Sequence, residues 1–170
     1  TPLILKMLES KEIEIRANAA RVAGDSNLLN LVNSLIGMLN DPSPRVVSLA
    51  ALSLGRIGSK SDPVLVSALL HSVEQNKGAD FDPVLRHSFI SALDRIASPE
   101  QLIALARSES EEQRLCAVIL LRRTANNGLM TFLEDESKLV RNEAIRAVYD
   151  TVALDGLAGK KLALLEPAQY

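Results

Sequence analysis

Tryptophan is absent from this chain, and aromatic residues make up only 3% of it. Its core must therefore be aliphatic, built from Leu, Ile, Val and Ala, a palette that suits closely packed helices better than a sheet. A single cysteine, Cys116, excludes an internal disulfide and a Cys-based zinc site. The two histidines, His71 and His87, show neither HxxxH nor HxH spacing, and a metal site built on them would need a third ligand such as Asp82 or Asp94. The expected reading is surface or interface histidines, with no metal and no cofactor. The chain also lacks a glycine-rich phosphate loop, a GxSxG elbow and an HExxH motif. No apolar run approaches the roughly 18 residues of a membrane span, so direct membrane insertion is not expected. The first residues carry no signal-peptide pattern. A net charge of −2 gives no overall field to recruit nucleic acid.

What is present is a repeat. In DESKLVRNEAIRAVY, an acidic turn residue at Asp135 is followed by Arg141, Ala144 and Val148, and this phase can be laid over the chain five times. Asp135, Ser108, Asp80, Asp41 and Ser10 take the turn position, and Arg141, Arg114, Arg86, Val47 and Arg16 the next. Ala144, Ala117, Phe89, Ala50 and Ala19 follow, then Val148, Leu121, Leu93, Leu54 and Ala23. The steps between positions 16, 47, 86, 114 and 141 are 31, 39, 28 and 27 residues. Periods in this range mark a solenoid or array.

The expected organisation is one all-α domain over residues 1–170, with repeats at 1–27, 28–60, 61–98, 99–127 and 128–156 and a partial sixth at 157–170. In the first repeat, Pro2 to Leu8 reads as a short helix. A second helix, Ile13 to Ala23, places Ile15, Ala19, Val22 and Ala23 on one face, with Ser10 as cap and Gly24 as stop. Leu28 to Leu39 and Arg45 to Ile57 make the second pair, with two prolines in the turn and Gly58 at the end. Asp62-Pro63 caps a helix reaching Gln75, and the next helix buries Leu85, Phe89, Leu93 and Ile96. Ser98-Pro99 opens the fourth pair. Its second helix holds seven successive apolar residues, Leu115 to Leu121, so it should be covered on most sides. Leu129 to Leu133 and Ser137 to Val152 form the fifth pair. The helical start at Thr1 and the apolar LALLEPAQY suggest a segment of a longer protein.

The phase V/I/L-R-x-x-A with an upstream Asp, as in Ile15-Arg16…Ala19 and Val140-Arg141…Ala144, resembles the HEAT repeat. The resemblance implies a right-handed α-solenoid of about five antiparallel helix pairs and the start of a sixth. It also implies that turn aspartates and marker arginines interlock neighbouring repeats, which carries over to Asp41, Asp80, Asp135, Arg16, Arg86, Arg114 and Arg141. Repeat two departs with Val47, and repeats one and four have Ser at the turn, so a continuous ionic ladder is not expected. DPVLRHSFISAL, RLCAVILLRR and FLEDESKLVRNEAIRAVYD look like the HEAT segment of membrane-bound dehydrogenase-like proteins of planctomycetes and verrucomicrobia. In that family the segment joins a β-propeller to a cytochrome c with a CxxCH haem site. This resemblance implies a non-catalytic middle segment of a bacterial redox protein, in the periplasm or cell envelope.

Candidate binding residues are Arg56, Arg95 and Arg123, which hold one phase in three successive repeats, with Arg21 and Arg146 nearby. Such a row could read carboxylates or phosphates. The simpler reading, which we favour, is that cations in a last helical turn offset the dipole and stay solvated. Cys116, inside the apolar run, reads as a buried structural thiol. Glu109, Glu111 and Glu112 form an acidic helix start that dipole effects alone favour. The function expected is a non-catalytic scaffold that docks a protein partner or a neighbouring domain. The alternatives are a HEAT-like enzyme of the DNA glycosylase or phycobilin lyase type, or a polyanion-binding module. With two tyrosines and a negative charge, a nucleic-acid role is weak.

Overall fold

The structure, a computed structural model, describes residues 2–77 and 82–150. Every regular element among them is helical. The chain divides into two compact units, Thr1–Ala97 and Ser98–Tyr170.

The first unit contains α1 (Pro2–Leu8), α2 (Ile13–Asp25), α3 (Val32–Met38), α4 (Pro44–Ile57), α5 (Pro63–Gln75) and α6 (Pro83–Ile96). They form antiparallel pairs: α1 packs on α2, α3 on α4 and α5 on α6. The second helices of the pairs then lie in file, α2 against α4 and α4 against α6. Helices in file, each packed mainly on its neighbours, make an all-α solenoid-type stack rather than a bundle around one shared centre.

Small residues bring the file together. Ala17, Ala19, Ala20 and Ala23 of α2 and Ala50 and Ala51 of α4 are fully buried. A Cβ added to Gly24 would stand 2.5 Å from Ser53 Oγ, and one added to Gly55 would stand 2.6 Å from Ala92 Cα. Gly24 is thus a packing residue and not the expected stop. Helix α2 runs through it to Asp25, and the chain turns at Asn27, which has φ 52°. Ile15, expected on the buried face, is exposed. Ser10 does not cap α2: its Oγ accepts from the Glu12 N–H at 3.2 Å, and Glu12 takes the cap position. The buried serines satisfy themselves within the stack, Ser53 donating to the Ala20 carbonyl at 2.8 Å and Ser72 to that of Leu39 at 3.1 Å.

Helix starts follow the sequence signals. Asp62 accepts from the N–H groups of Val64 and Leu65 and caps α5, and Asp82 accepts from that of Val84 and caps α6. Leu85, Phe89, Leu93 and Ile96 are all buried. Asp80, the expected turn residue here, lies outside the described residues.

The second unit contains α7 (Pro99–Ala104), continued by a 3-10 turn at Leu105–Arg107, then α8 (Glu111–Arg123), a 3-10 helix at Asn127–Phe132, and α9 (Lys138–Asp150). Ser98 and Gln101 form a reciprocal capping box at the start of α7. Helices α8 and α9 pack side by side, and the 3-10 helix packs on both. Of the apolar run Leu115 to Leu121, all but Ile119 are buried, Cys116 included. Ala117 and Ala144 are fully buried, as are Ala19 and Ala50 in the first unit. The expected sixth repeat lies outside the described residues.

Candidate interaction surface

The marker arginines build a recurring clamp. Arg16 places Nε 2.7 Å and Nη2 3.0 Å from the two carboxylate oxygens of Asp41, while Nη1 donates back to the carbonyls of Ser10 and Lys11 at 2.8 and 3.0 Å. Arg114 repeats this with Asp135 at 2.9 and 3.2 Å and with the carbonyls of Ser108 and Glu109 at 2.7 and 3.2 Å. Each aspartate also accepts from its own turn, Asp41 from the Ser43 N–H at 2.9 Å and Asp135 from the Ser137 N–H at 2.8 Å. One guanidinium therefore ties the entry turn of its own repeat to the turn of the next, in the bidentate geometry that suits arginine. Arg141 makes the backward half, donating to the Asp135 carbonyl at 2.5 Å. Arg86 is half-buried on α6.

Burial pushes the Asp41 carboxyl up. Hydrogen bonds from Arg16 and from the Ser43 N–H, with the attraction of the guanidinium, outweigh it and hold the carboxyl below the ordinary range. A depressed folded pKa adds stability above the unfolded value of about 4 that is lost as pH falls through the folded value. Asp41→Asn is therefore expected to flatten the acid limb of a stability-against-pH curve below about pH 4, with urea midpoints as the measurement. An unaltered slope would assign the acid sensitivity to other groups.

The last-turn arginines differ in what they meet. Arg56 donates to Asp25 across the repeat at 2.5 Å, and Arg21 reaches the same carboxylate at 3.4 Å. Arg146 stands 3.8 Å from Glu143. Arg95 and Arg123 are exposed. Arg122, one residue from the expected position, makes the tie in the second unit, to Glu143 at 2.9 Å and to Asp150. No group of three His, Cys, Asp or Glu side chains among the described residues could hold a metal. His71 and His87 are exposed on α5 and α6. No helix among the described residues is long and apolar enough to cross a membrane.

Between α4 and α6 lies a groove of about 370 Å³. Leu49 and Leu52 form one wall, Val84 and His87 the other, and Ser48 and Ser88 the floor, with Arg45 and Asp82 at the rim. The two floor hydroxyls share a 2.5 Å hydrogen bond. In the preceding junction, between α2 and α4, the equivalent rim is bridged by Glu14 and Arg45 at 3.0 Å.

Residues 1–79 match the family model for HEAT repeats. Over that span, which holds α1 to α5, the helices are similar to HEAT repeats, and the clamp from Arg16 to Asp41 joins two successive pairs. HEAT repeats are typically protein-interaction scaffolds. No curated protein matches the chain.

Proposed function

We propose that this chain is a non-catalytic interaction scaffold that docks a protein partner or a neighbouring domain of its own chain. The file of α2, α4 and α6 carries the reading. It uses the buried faces of these helices for stacking and leaves a line of exposed faces, repeated from one HEAT repeat to the next, as a surface. Several titratable groups already serve the fold. Asp41 and Asp135 are occupied by arginines and turn N–H groups, Cys116 is buried, and Glu111 and Glu112 stand in the first turn of α8. The test is to assay the purified chain for hydrolase, glycosylase and lyase turnover and for haem uptake, beside cross-linking to candidate partners with site mapping. Cross-links confined to α2, α4 and α6 are expected, and a reproducible specific turnover would overturn the reading. The pairing of Arg56 with Asp25 weighs against a polyanion-binding row. If Arg56, Arg95 and Arg123 did form one, changing all three to Glu would abolish a salt-dependent gel shift.

The resemblance of Asp82 to Leu93, Arg114 to Arg123 and Phe132 to Asp150 to dehydrogenase-like proteins supports a narrower version. On it the chain is the middle segment of a bacterial envelope redox protein, between a β-propeller and a cytochrome c. Flanking DNA encoding propeller strands upstream and CxxCH downstream is the outcome this version requires.

A further inference from the structure

We propose that the groove between α4 and α6 is a docking site for a protein partner's peptide segment that carries an aliphatic side chain beside a carboxylate. The inference rests on the scaffold reading and names the partner's chemistry. Its first support is a contrast between equivalent places. Position by position, Glu14, Arg45 and Val84 share one phase of α2, α4 and α6, and Arg21, Leu52 and Ser91 share another. In the first junction α2 supplies charged residues at both positions, Glu14 and Arg21, and Glu14 bridges to Arg45. In the second α6 supplies uncharged Val84 and Ser91 there, and an opening remains walled by Leu49, Leu52 and Val84, with Val84 67% exposed. The volume lies at the low end of the roughly 300–1,000 Å³ usual for ligand pockets, enough for one or two side chains and too small for a helix.

Charge selects the flanking group. Arg45 brings a guanidinium to the rim. The one carboxylate on the lining, Asp82, already accepts the Val84 N–H at 2.8 Å as the cap of α6. Helices α4 and α6 both begin at this end, so two positive helix ends face the same mouth. The present partner of Arg45, Glu14, is itself well exposed and exchangeable with an incoming carboxylate.

The test uses the whole chain, labelled with nitrogen-15, and three 12-residue Gly/Ser peptides with Leu-Glu-Glu-Leu, Leu-Lys-Lys-Leu or Ser-Glu-Glu-Ser at the centre. Only the first is expected to shift the amides of Ser48, Leu49, Leu52, Val84, His87 and Ser88. Leu52→Glu and Arg45→Glu should each weaken it at least tenfold with the rest of the spectrum unchanged, and Glu14→Gln, which releases Arg45, should tighten it two- to threefold. Equal shifts from the lysine or serine peptide, or from a 12-nucleotide oligothymidine, would overturn the proposal. So would no shift at millimolar peptide. A protein partner whose affinity ignores Leu52→Glu and Arg45→Glu would end the groove while leaving the scaffold. A chain that turns over a substrate and binds no peptide would end both.

Discussion

Asp135→Ala is expected to cost the second unit about 3–5 kcal/mol, the usual loss when one member of a buried ion pair is removed. Both side chains are only 5% exposed. Without the carboxylate, Nε and Nη2 of Arg114 lose their acceptor while Nη1 stays fixed on the carbonyls of Ser108 and Glu109, so the guanidinium cannot swing out to water. The Ser137 N–H loses its acceptor as well. Glu136 lies 3.2 Å from Nη2 and can take part of the charge, but it is 83% exposed, which points to the lower half of the range. Urea denaturation gives the loss. Hydrogen exchange on the whole chain places it, with α8 and α9 losing protection while α2 and α4 keep theirs. The double change Arg114→Leu with Asp135→Ala should recover much of the stability, because it leaves no stranded charge. A loss below 1 kcal/mol for the single change would show that the clamp behaves as a solvated surface pair.

Gly55→Val should cost about 3 kcal/mol, at the top of the range for overpacking a core. The atom its Cβ would meet is the Cα of Ala92, 2.6 Å away, and a backbone atom cannot rotate aside. Helices α4 and α6 must part, although the substitution removes a glycine from a helix interior. Gly37 is the control. A Cβ there meets nothing within 4 Å, so Gly37→Ala should gain up to about 1 kcal/mol from helix propensity alone. Thermal melts of the two variants should therefore move in opposite directions, and parallel shifts would refute the close approach.

The repeat phase made the helices legible because burial in a stack imposes one spacing on every pair. Ala19, Ala50, Ala117 and Ala144 share that phase and are all fully buried. The short first helices were less legible. Leu29–Leu31, Leu105–Arg107 and Asn127–Phe132 fold as 3-10 turns, which periodicity over so few residues does not separate from α-helix. In α2 the buried face includes Ala17 and Ala20 and omits Ile15, because the close approach of α4 selects size over hydrophobicity. Arg122 and Arg123 show the limit at the surface. One residue is about 100° around a helix, and the tie to Glu143 belongs to Arg122. The groove has no linear signature, since its walls are Leu49 and Val84 from different repeats.

The clamp has a direction. At Arg16 and Arg114 the arginine needs the repeat that follows, whereas the aspartates keep the N–H of their own turns whatever precedes them. Trimming such an array from its leading edge would strip a carboxylate of one of two donors. Trimming it from the trailing edge would strand a cation pinned by its own loop. Deletion series from the two sides should thus be unequal, with whole cassettes lost more safely from the front than from the back.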